Sequence, residues 1–235
     1  MSLRTAFDTP DGKRAHNREL FATIADRYDL ITKLLSYGQD ARWKRTLIAR
    51  ARLQPGERVL DLACGTGDLA FAAASQGTRV VGLDLTHRML QLAARKSAAA
   101  GLVTGDMTHL PFGPRSFEVV TTGYGLRNVP DLAAAIDEIA RVLRPGGRLL
   151  SLDFNHPESP LVARAYLAYL TVVGAGLGWL LHRDPDTYRY IPASIRRYPG
   201  AAGVAEQLTA RGFSGVTVVP LLFGLMTLHV AHRAR

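Results

Sequence analysis

The sequence predicts an α/β fold in which a seven-stranded, mostly parallel sheet carries helices on both faces and ends in an antiparallel pair of strands. The first observation is that short apolar runs typical of buried strands alternate with helical stretches through residues 53–153. This alternation is typical of a parallel sheet with crossover helices. The second is a glycine-rich turn at residues 64–67, directly after the first strand. The third is size, since 235 residues with 47% hydrophobic side chains can form one large core.

The first strand and its turn are predicted from residues 59–67, VLDLACGTG. Residues 59–62 form a short apolar run, and Asp61 lies near its carboxyl end. Gly65 and Gly67 lack a Cβ, so the backbone there can adopt a positive φ and a ligand can approach the main chain. The helix that begins after the turn directs free N–H groups and the positive end of its dipole towards that ligand. A turn that serves only packing is the alternative.

The second strand, residues 79–83, ends in Asp84. A carboxylate at this place, about 20 residues after a glycine turn, is suited to accept hydrogen bonds from both ribose hydroxyls of a nucleoside. The alternative is that Asp84 caps the helix predicted over residues 86–98.

The other elements follow from periodicity and turn residues. On the N-terminal side we expect a mobile tail over residues 1–14 and helices over 17–33 and 39–52. Beyond the second strand the pattern predicts strands at 102–105, 116–121 and 148–153 and a helix at 131–143. The C-terminal part is predicted to hold a helix at 201–211 and antiparallel strands at 216–220 and 225–231.

The predicted strand ends share a chemical character. Ligands of parallel α/β sheets bind outside the carboxyl ends of the strands. Five such ends carry an acid or a glycine, namely Asp61, Asp84, Asp106, Gly123 and Asp153. Their convergence on one edge predicts a nucleoside pocket.

Residues 160–181 form an apolar stretch that contains a single charge, Arg164. The stretch is long enough to span a bilayer, but a crossing here, between the fifth and sixth strands, would split the sheet. We favour a helix that covers the active site and presents an apolar face to a hydrophobic substrate or a membrane surface. A buried helix is the alternative. Residues 184–197, rich in tyrosine and arginine, could line a pocket or connect two elements.

The net charge and the cysteine content limit which partners and metal sites the protein can have. The 29 Lys and Arg residues against 20 Asp and Glu give a net charge of +9, which suits nucleic acid, an anionic membrane surface or an acidic ligand, or reflects arginine-rich codon usage. Residues 122–125 lack a base-flipping motif, so we expect no nucleic-acid partner. Cys64 is the only cysteine, which excludes an internal disulfide and a cysteine zinc site, and we predict no metal. Residues 1–13 lack the apolar core of a signal peptide, so we expect a cytoplasmic location.

Several short motifs occur together and in order. They are Phe-x-x-Ile-Ala-x-x-Tyr-Asp at residues 21–29, Leu-Ser-Tyr-Gly at 35–38 with Trp43, Gly-Leu-Arg-Asn-Val at 125–129, Arg189-Tyr190 with Ser-Ile-Arg at 194–196, and Gly224 with Leu228-His229. With these motifs the chain, from about residue 16 to its end, resembles the class I S-adenosylmethionine methyltransferases, and among them the C-methyltransferases of quinone biosynthesis. It departs from their pattern at Ala63, where they have glycine, at Thr32, where they often have asparagine, and at Gly123, where a small hydroxyl residue is frequent.

The resemblance implies a Rossmann-like class I methyltransferase fold, with an N-terminal helical cap over residues 1–52, a cofactor-binding domain over 53–235 and a lid or substrate insertion at 160–200. It implies S-adenosylmethionine-dependent C-methylation of a prenylated quinol, from demethylmenaquinol to menaquinol or the equivalent ubiquinone-pathway step, with S-adenosylhomocysteine as product. A methyltransferase for another hydrophobic molecule, such as a natural product, is the main alternative. An NAD-linked dehydrogenase and a non-enzymatic assembly factor are further ones. A peripheral membrane contact and a homodimer stay open.

The resemblance also assigns roles to residues. It places Gly65, Thr66 and Gly67 on the methionine part of the cofactor, Asp84 on the ribose, and Asp106 and Met107 on the adenine; Asp61, Leu85 and Gly123 complete the cofactor set. Arg127 and Asn128, after the fourth strand, are the predicted catalytic pair. The predicted substrate residues are Tyr28, Asp29, Tyr124, Tyr188, Tyr190 and Arg196. Core packing is the alternative for Met107, and structural hydrogen bonding is the alternative for the substrate residues.

Methyl transfer from a sulfonium to a ring carbon demands accurate positioning, and a neighbouring phenol must lose its proton to make the carbon nucleophilic. The resemblance implies that Arg127 assists this deprotonation. Because the pKa of arginine lies above about 12, its side chain is a poor proton acceptor. We therefore hypothesise that the fixed guanidinium lowers the pKa of the phenol through its charge, while water takes the proton.

Overall fold

The computed structural model describes residues 9–157 and 159–235. Three helices precede the sheet: α1 (Pro10–Ile24), α2 (Tyr28–Leu35) and α3 (Asp40–Ala51). Strands and helices then alternate as β1 (Arg58–Leu62), α4 (Asp68–Ala74), β2 (Arg79–Asp84), α5 (His87–Lys96), β3 (Gly101–Thr104), β4 (Phe117–Gly123), α6 (Leu132–Val142) and β5 (Leu143–Phe154). The chain continues through α7 (Pro160–His182), α8 (Tyr190–Arg197), α9 (Gly200–Ala210), β6 (Phe213–Leu221) and β7 (Met226–Arg233).

In the described part of the chain, seven strands form one sheet in the order β3-β2-β1-β4-β5-β7-β6. All pairings from β3 to β5 are parallel, whereas β7 runs antiparallel between β5 and β6. The predicted fold class, with its C-terminal antiparallel pair, is confirmed. One boundary differs: β5 begins at Leu143 rather than at residue 148, because Leu143 already pairs with Phe117 before the register shifts.

Both faces of the central strands are covered by helices, which accounts for their continuous apolar sequence. Leu60 and Val120 pack in the core that contains α6 and α9, whereas Val59 and Val119 pack in the core that contains α3 and α4. This alternation follows from the two-residue repeat of a strand. With both faces covered, the carboxyl edge of the sheet is left to form a site.

A third apolar cluster lies between helices α1, α2, α7 and α8. Ile24, Ile31, Leu170 and Ile195 are all buried in it. The N-terminal helices and the predicted insertion therefore share one core, and together they form a roof over one side of the sheet edge.

Helix α1 begins earlier than the periodicity predicts. Residues 10–14 are helical rather than part of a mobile tail, while residues 1–8 lie outside the described residues. The Gly12 N–H donates to the Thr9 hydroxyl at 3.1 Å, and Pro10 occupies the first turn. Threonine followed by proline is a common helix start, but the polar first turn gives no apolar periodicity to reveal it.

The stretch at residues 184–197, for which a pocket wall and a connector were both open, contains helix α8. Tyr190, Ser194 and Ile195 are buried, whereas Arg196 is exposed on the other side of the helix. One face of this stretch therefore packs in the roof and the other meets solvent.

Helix α3 should unfold together with the sheet, because Leu47 is fully buried in the core that contains Val59. We expect Leu47→Ala to lower the free energy of unfolding by about 2–5 kcal/mol, since the change loses apolar contact and leaves a cavity. Arg45→Ala, at an exposed position of the same helix, should change it by less than about 0.5 kcal/mol.

Urea unfolding followed by circular dichroism measures both variants. The division of the chain at residue 52 stays a prediction that the same experiment addresses. If Leu47→Ala gave a separate early transition and left the main one unmoved, residues 1–52 would be an independent cap and the single-core expectation would fail.

Candidate active site

A cleft of about 710 Å³, partly open to solvent, lies at the carboxyl edge of the sheet. We call it the main cleft. Its wall on the N-terminal side comes from α1 through Asn17 and Phe21. The predicted residues that it brings together are Gly65, Asp84, Leu85, Asp106, Met107, Gly123, Tyr28, Tyr124 and Asn128. Three of the five predicted strand ends, Asp84, Asp106 and Gly123, therefore meet in this cleft, whereas Asp61 and Asp153 do not line it.

Asp84 connects the glycine turn to the end of β2. Its Oδ2 accepts a hydrogen bond from the Gly65 N–H at 2.8 Å, and its Oδ1 accepts one from the Thr86 N–H at 2.8 Å. Burial raises the pKa of Asp84 to about 6. Thr86, not Asp84, is the N-cap residue of α5. The alternative that Asp84 caps this helix is therefore wrong. Each carboxylate oxygen keeps a second lone pair, so Asp84 can still accept hydrogen bonds from a diol in the cleft.

Asp106 and Met107 follow β3 at the far end of the main cleft. Asp106 accepts hydrogen bonds from the Thr108 N–H at 2.8 Å and from Arg14 Nε at 2.5 Å. Burial acts to raise the pKa of Asp106, but these Thr108 and Arg14 contacts outweigh it and hold the pKa below its usual range. Met107 is buried in the sheet core and also lines the cleft, so core packing and ligand contact are both compatible with its position.

A smaller cavity of about 310 Å³ adjoins the main cleft on the other side of the glycine turn. We call it the inner cavity. Asp61 and Thr66 line it, together with Lys44. Asp61 Oδ1 accepts a hydrogen bond from the Thr121 hydroxyl at 2.8 Å, whereas its buried Oδ2 has no hydrogen-bond partner among the described residues. Burial raises the pKa of Asp61 to about 7.

The other residues of the turn have structural contacts. The Thr66 hydroxyl donates to Asp29 Oδ1 at 2.6 Å, which ties α2 to the turn. Gly67 lines neither space; its φ is +92°, and a Cβ there would come within 2.4 Å of the Phe71 ring. Glycine is therefore required at residue 67 by the backbone.

The two connected spaces fit S-adenosylmethionine, the cofactor that the resemblance implies. A carboxylate that can accept from a diol lies in the main cleft at Asp84, and an unpartnered buried acceptor lies in the inner cavity at Asp61. A ribose and an ammonium group are the complementary chemical groups. Both spaces are lined by Gly65 and Gly123, which have no Cβ, and also by Ala63, Tyr28 and Tyr124.

A third space of about 650 Å³ lies beneath the helical roof, and we call it the apolar chamber. It shares four lining residues with the main cleft: Phe21, Tyr28, Tyr124 and Asn128. The rest of its lining is mostly aliphatic and aromatic, including Ile24, Ile31, Leu35, Trp43, Phe154, Tyr166, Tyr188, Tyr190, Ile191 and Met226. Because these residues separate the two spaces, a ligand group bound in the apolar chamber would lie next to a ligand group bound in the main cleft.

Arg127 is the cation of the apolar chamber and is only 3% exposed. Its backbone N–H donates to Asp153 Oδ2 at 3.0 Å and its Nε to Asp153 Oδ1 at 3.3 Å. Its Nη1 donates to the Ser194 hydroxyl of α8, and its guanidinium lies 4.8 Å from the centre of the Phe154 ring. Burial raises the pKa of Asp153, and the charge of Arg127 acts against that rise. The guanidinium is thereby fixed in one orientation at the chamber wall.

Asn128 lies between the chamber and the main cleft. Its Nδ2 donates to the Tyr124 carbonyl at 2.9 Å, and its Oδ1 accepts from Arg127 Nη1 at 3.3 Å. Tyr124 has a φ of +63°, which is uncommon for a residue with a side chain. Asn128 therefore holds the turn that places Arg127.

The predicted substrate residues divide into two groups. Tyr28, Tyr124, Tyr188 and Tyr190 line the apolar chamber. Two of their hydroxyls are already engaged: the Tyr124 hydroxyl donates to Asp40 at 2.6 Å, and the Tyr188 hydroxyl hydrogen-bonds His182 at 2.8 Å. The structure does not bring the other two there: Arg196 is exposed, and the Asp29 carboxylate pairs with Lys96 at 2.6 Å.

Several residues of the site on α1 were missed: Lys13 and Arg14 lie where the sequence predicted a tail, and Asn17 lies at the start of the predicted helix over residues 17–33. Arg14 and Asn17 line the main cleft, and Asn17 Nδ2 donates to the Asn128 carbonyl at 2.5 Å. Lys13 Nζ donates to the Val129 carbonyl at 2.5 Å, and burial, then the charge of Arg127, lowers the pKa of Lys13 to about 8. The Thr9-Pro10 helix start was the signal that could have placed them.

Known proteins are similar to this chain over almost its whole length. The model of the family described as the ubiE/COQ5 methyltransferase family matches residues 10–233. The chain is 38% identical over 225 residues to a demethylmenaquinone methyltransferase of Thermobifida fusca, covering 92% of this chain and 94% of that one. It is 40% identical over 220 residues to a protein of the same name from Thermus thermophilus, covering 91% and 100%. Among solved structures, an S-adenosylmethionine-dependent methyltransferase of Thermotoga maritima has a TM-score of 0.67 at 17% identity, covering 92% and 99%, and shows the same fold.

Proposed function

Because the chain belongs to the ubiE/COQ5 methyltransferase family, we propose that it transfers a methyl group from S-adenosylmethionine to a ring carbon of demethylmenaquinol. S-adenosylmethionine-dependent methylation in quinone biosynthesis is the activity of this family and of this chain. The choice of demethylmenaquinol is supported by the names of the two curated relatives. The observation that carries it is a buried guanidinium, Arg127, fixed in an apolar chamber beside the cleft.

The cofactor supplies an electrophilic methyl group on a sulfonium. We assign Asp84 to its ribose, Asp61 to its ammonium group, and Asp106 with Met107 to the end of the cleft where adenine would lie. What supports these roles is that all four residues line the two connected spaces. Gly65 and Gly123 leave room between them.

The apolar chamber is the proposed site of the quinol. A prenylated ring buries mainly carbon, and the walls of the chamber are mainly aliphatic and aromatic side chains. Tyr28, Tyr124 and Asn128 separate this space from the main cleft. A ring held there by apolar contact would place one carbon towards the cleft, which is the positioning that an in-line transfer requires.

Arg127 is proposed to stabilise the phenolate form of the quinol. As the phenol proton passes to water, electron density moves to the ring carbon, which forms the new bond to the methyl group while the bond from methyl to sulfur breaks. The ring carbon then loses its own proton and regains aromaticity. A fixed cation in an apolar space acts on such a developing charge more strongly than one in water. Asp153, Ser194 and Asn128 hold the guanidinium in place before the substrate arrives.

A second candidate is methylation of a different hydrophobic acceptor, such as a natural product. The apolar chamber favours it as much as a quinol, since most of its walls make no directional contact with a ligand. An assay with a panel of phenolic acceptors separates the two candidates.

The substrate is tested by expressing the chain in a bacterial host that lacks its own quinone C-methyltransferase. We expect mass spectrometry of extracted quinones to show menaquinone in place of demethylmenaquinone, because the chamber and cleft would hold both reactants. The Asp84→Asn variant is the control for a cofactor-dependent gain. If the protein is well expressed and demethylmenaquinone is unchanged, the proposed substrate is contradicted. If only the ubiquinone precursor is methylated, that precursor replaces demethylmenaquinol as the substrate.

The role of Arg127 is tested with Arg127→Lys. A lysine keeps the charge but cannot make the same set of contacts to Asp153, Ser194 and Asn128, so we expect kcat to fall by about 100-fold. The affinity for S-adenosylhomocysteine should stay within about twofold, since Arg127 lines the chamber and not the main cleft.

The matched control is Arg196→Lys, at an exposed position of α8, which should leave kcat unchanged. Because a cation that is no longer fixed beside the substrate lowers the phenol pKa less, the activity of Arg127→Lys should recover as pH rises. Near-complete turnover by Arg127→Lys at neutral pH would contradict the electrostatic role.

We also propose a peripheral contact between α7 and an anionic membrane surface, where a prenylated quinol would reside. Among the described residues α7 is the one helix long and apolar enough to cross a membrane by length and composition. Leu161, Val172 and Trp179 are each more than 60% exposed, and their spacing places them on one side of the helix. Leu170, on another side, is buried in the roof, so this helix would lie on a membrane rather than span it.

Sedimentation with vesicles tests this contact. We expect the protein to bind phosphatidylglycerol vesicles, and Val172→Glu with Trp179→Glu to reduce the bound fraction by about tenfold, because charged side chains do not insert into an apolar interface. Val218→Glu, at an exposed position of β6 at the far edge of the sheet, is the control. Undiminished binding by the double variant would exclude α7, and a wild-type dimer that the double variant dissociates would assign the face to a second copy of the chain.

A further inference from the structure

The wall of the inner cavity includes a partly buried cation, Lys44, that neither the motifs nor the sheet explains. Lys44 lines this cavity from α3, and its side chain is 13% exposed. Its Nζ lies 2.7 Å from Asp40 Oδ2 and 2.9 Å from Asp68 Oδ2. An ammonium has three N–H donors, so these two acceptors leave one donor for a further partner.

The carboxylates of Asp40 and Asp68 stabilise the charged form of Lys44. Burial acts to lower the pKa of Lys44, but Asp40 and Asp68 outweigh burial and raise it. The side chain is therefore a permanent cation at the wall of a cavity. Tyr124, whose ring centre lies 5.9 Å from Nζ, closes the side of the cavity towards the apolar chamber.

An acceptor without a partner lies in the same cavity. Asp61 is buried, and its Oδ2 has no hydrogen-bond partner among the described residues. One small space therefore offers an unsatisfied carboxylate oxygen and an ammonium with a spare donor. A ligand with an ammonium and a carboxylate on the same carbon satisfies both, and the amino-acid end of the cofactor has these groups.

We propose that Lys44 binds the α-carboxylate of the methionine part of S-adenosylmethionine while Asp61 binds its α-ammonium. This inference rests on the cofactor use stated above and is independent of which quinol is methylated. The pair holds the cofactor by its amino-acid end, so that the sulfonium lies where the inner cavity meets the main cleft. Lys44 is in this view a cofactor-binding residue that comes from the N-terminal helices rather than from the sheet.

A purely structural role for Lys44 is the alternative, because its ion pair with Asp68 also joins α3 to the start of α4, and its ion pair with Asp40 lies within α3. The two roles differ in which ligands they affect. Loss of a structural tie would weaken binding of every ligand of the cleft, whereas loss of a carboxylate contact weakens only ligands that carry the carboxylate.

The experiment compares two ligands by isothermal titration calorimetry. S-adenosylhomocysteine carries the amino-acid group, and 5′-methylthioadenosine lacks it. We expect Lys44→Met to weaken S-adenosylhomocysteine about 10- to 100-fold, the usual effect of removing a hydrogen bond between charged groups. Binding of 5′-methylthioadenosine should stay within about twofold. The matched control is Lys96→Met, since Lys96 also reaches Asp68, at 3.5 Å, but does not line the inner cavity.

A second measurement uses the wild-type protein and does not depend on how well a variant folds. The decarboxylated analogue of S-adenosylhomocysteine, which keeps the amine, should bind about 10- to 100-fold more weakly than S-adenosylhomocysteine. In Lys44→Met the two ligands should bind alike. Equal losses for S-adenosylhomocysteine and 5′-methylthioadenosine in Lys44→Met, or equal wild-type affinities for the carboxylated and decarboxylated ligands, would overturn the proposal. Neither result depends on methylation, so a failure of the proposed quinol substrate leaves this test intact.

Discussion

The buried ion pair of Arg127 and Asp153 is the interaction on which the rest of the site depends. A guanidinium in an apolar space is tolerated only when its charge and its N–H groups are matched, and here Asp153, Ser194 and Asn128 match them. These partners come from the end of β5, from α8 and from the turn after β4. One side chain therefore fixes the sheet, the turn and the helical roof relative to each other, and the apolar chamber forms around it.

The same constraint connects the N-terminal helix to the chemistry. Lys13 and Asn17 donate to carbonyls of the turn that contains Arg127 and Asn128, while Arg14 donates to Asp106 at the other end of the main cleft. Helix α1 thus closes the cleft by contacts to both of its ends. A change in how α1 packs would alter the cofactor space and the position of Arg127 together.

Helices α3 and α7 each use two faces for different purposes. Helix α3 buries Leu47 in the sheet core and presents Lys44 to the inner cavity. Helix α7 buries Leu170 in the roof and exposes Trp179. In both cases an apolar face that the fold requires fixes the orientation of a second face, and that second face carries the proposed role in cofactor binding or membrane contact.

The sequence by itself determined the α/β alternation, the seven-stranded sheet and the family, because these follow from local periodicity, from glycines at a turn and from short motifs. It also placed Asp61, Asp84 and Asp106 at strand ends, and strand ends of a parallel sheet meet at one edge for any sequence with that pattern. Only the tertiary structure decided which other side chains join them. Ser194 reaches Arg127 from 67 residues away, and Arg14 reaches Asp106 from 92 residues away. Such contacts depend on how helices pack in three dimensions, which no periodicity within the chain records. The packing of α3 likewise brings Lys44 to the same cavity as Asp61.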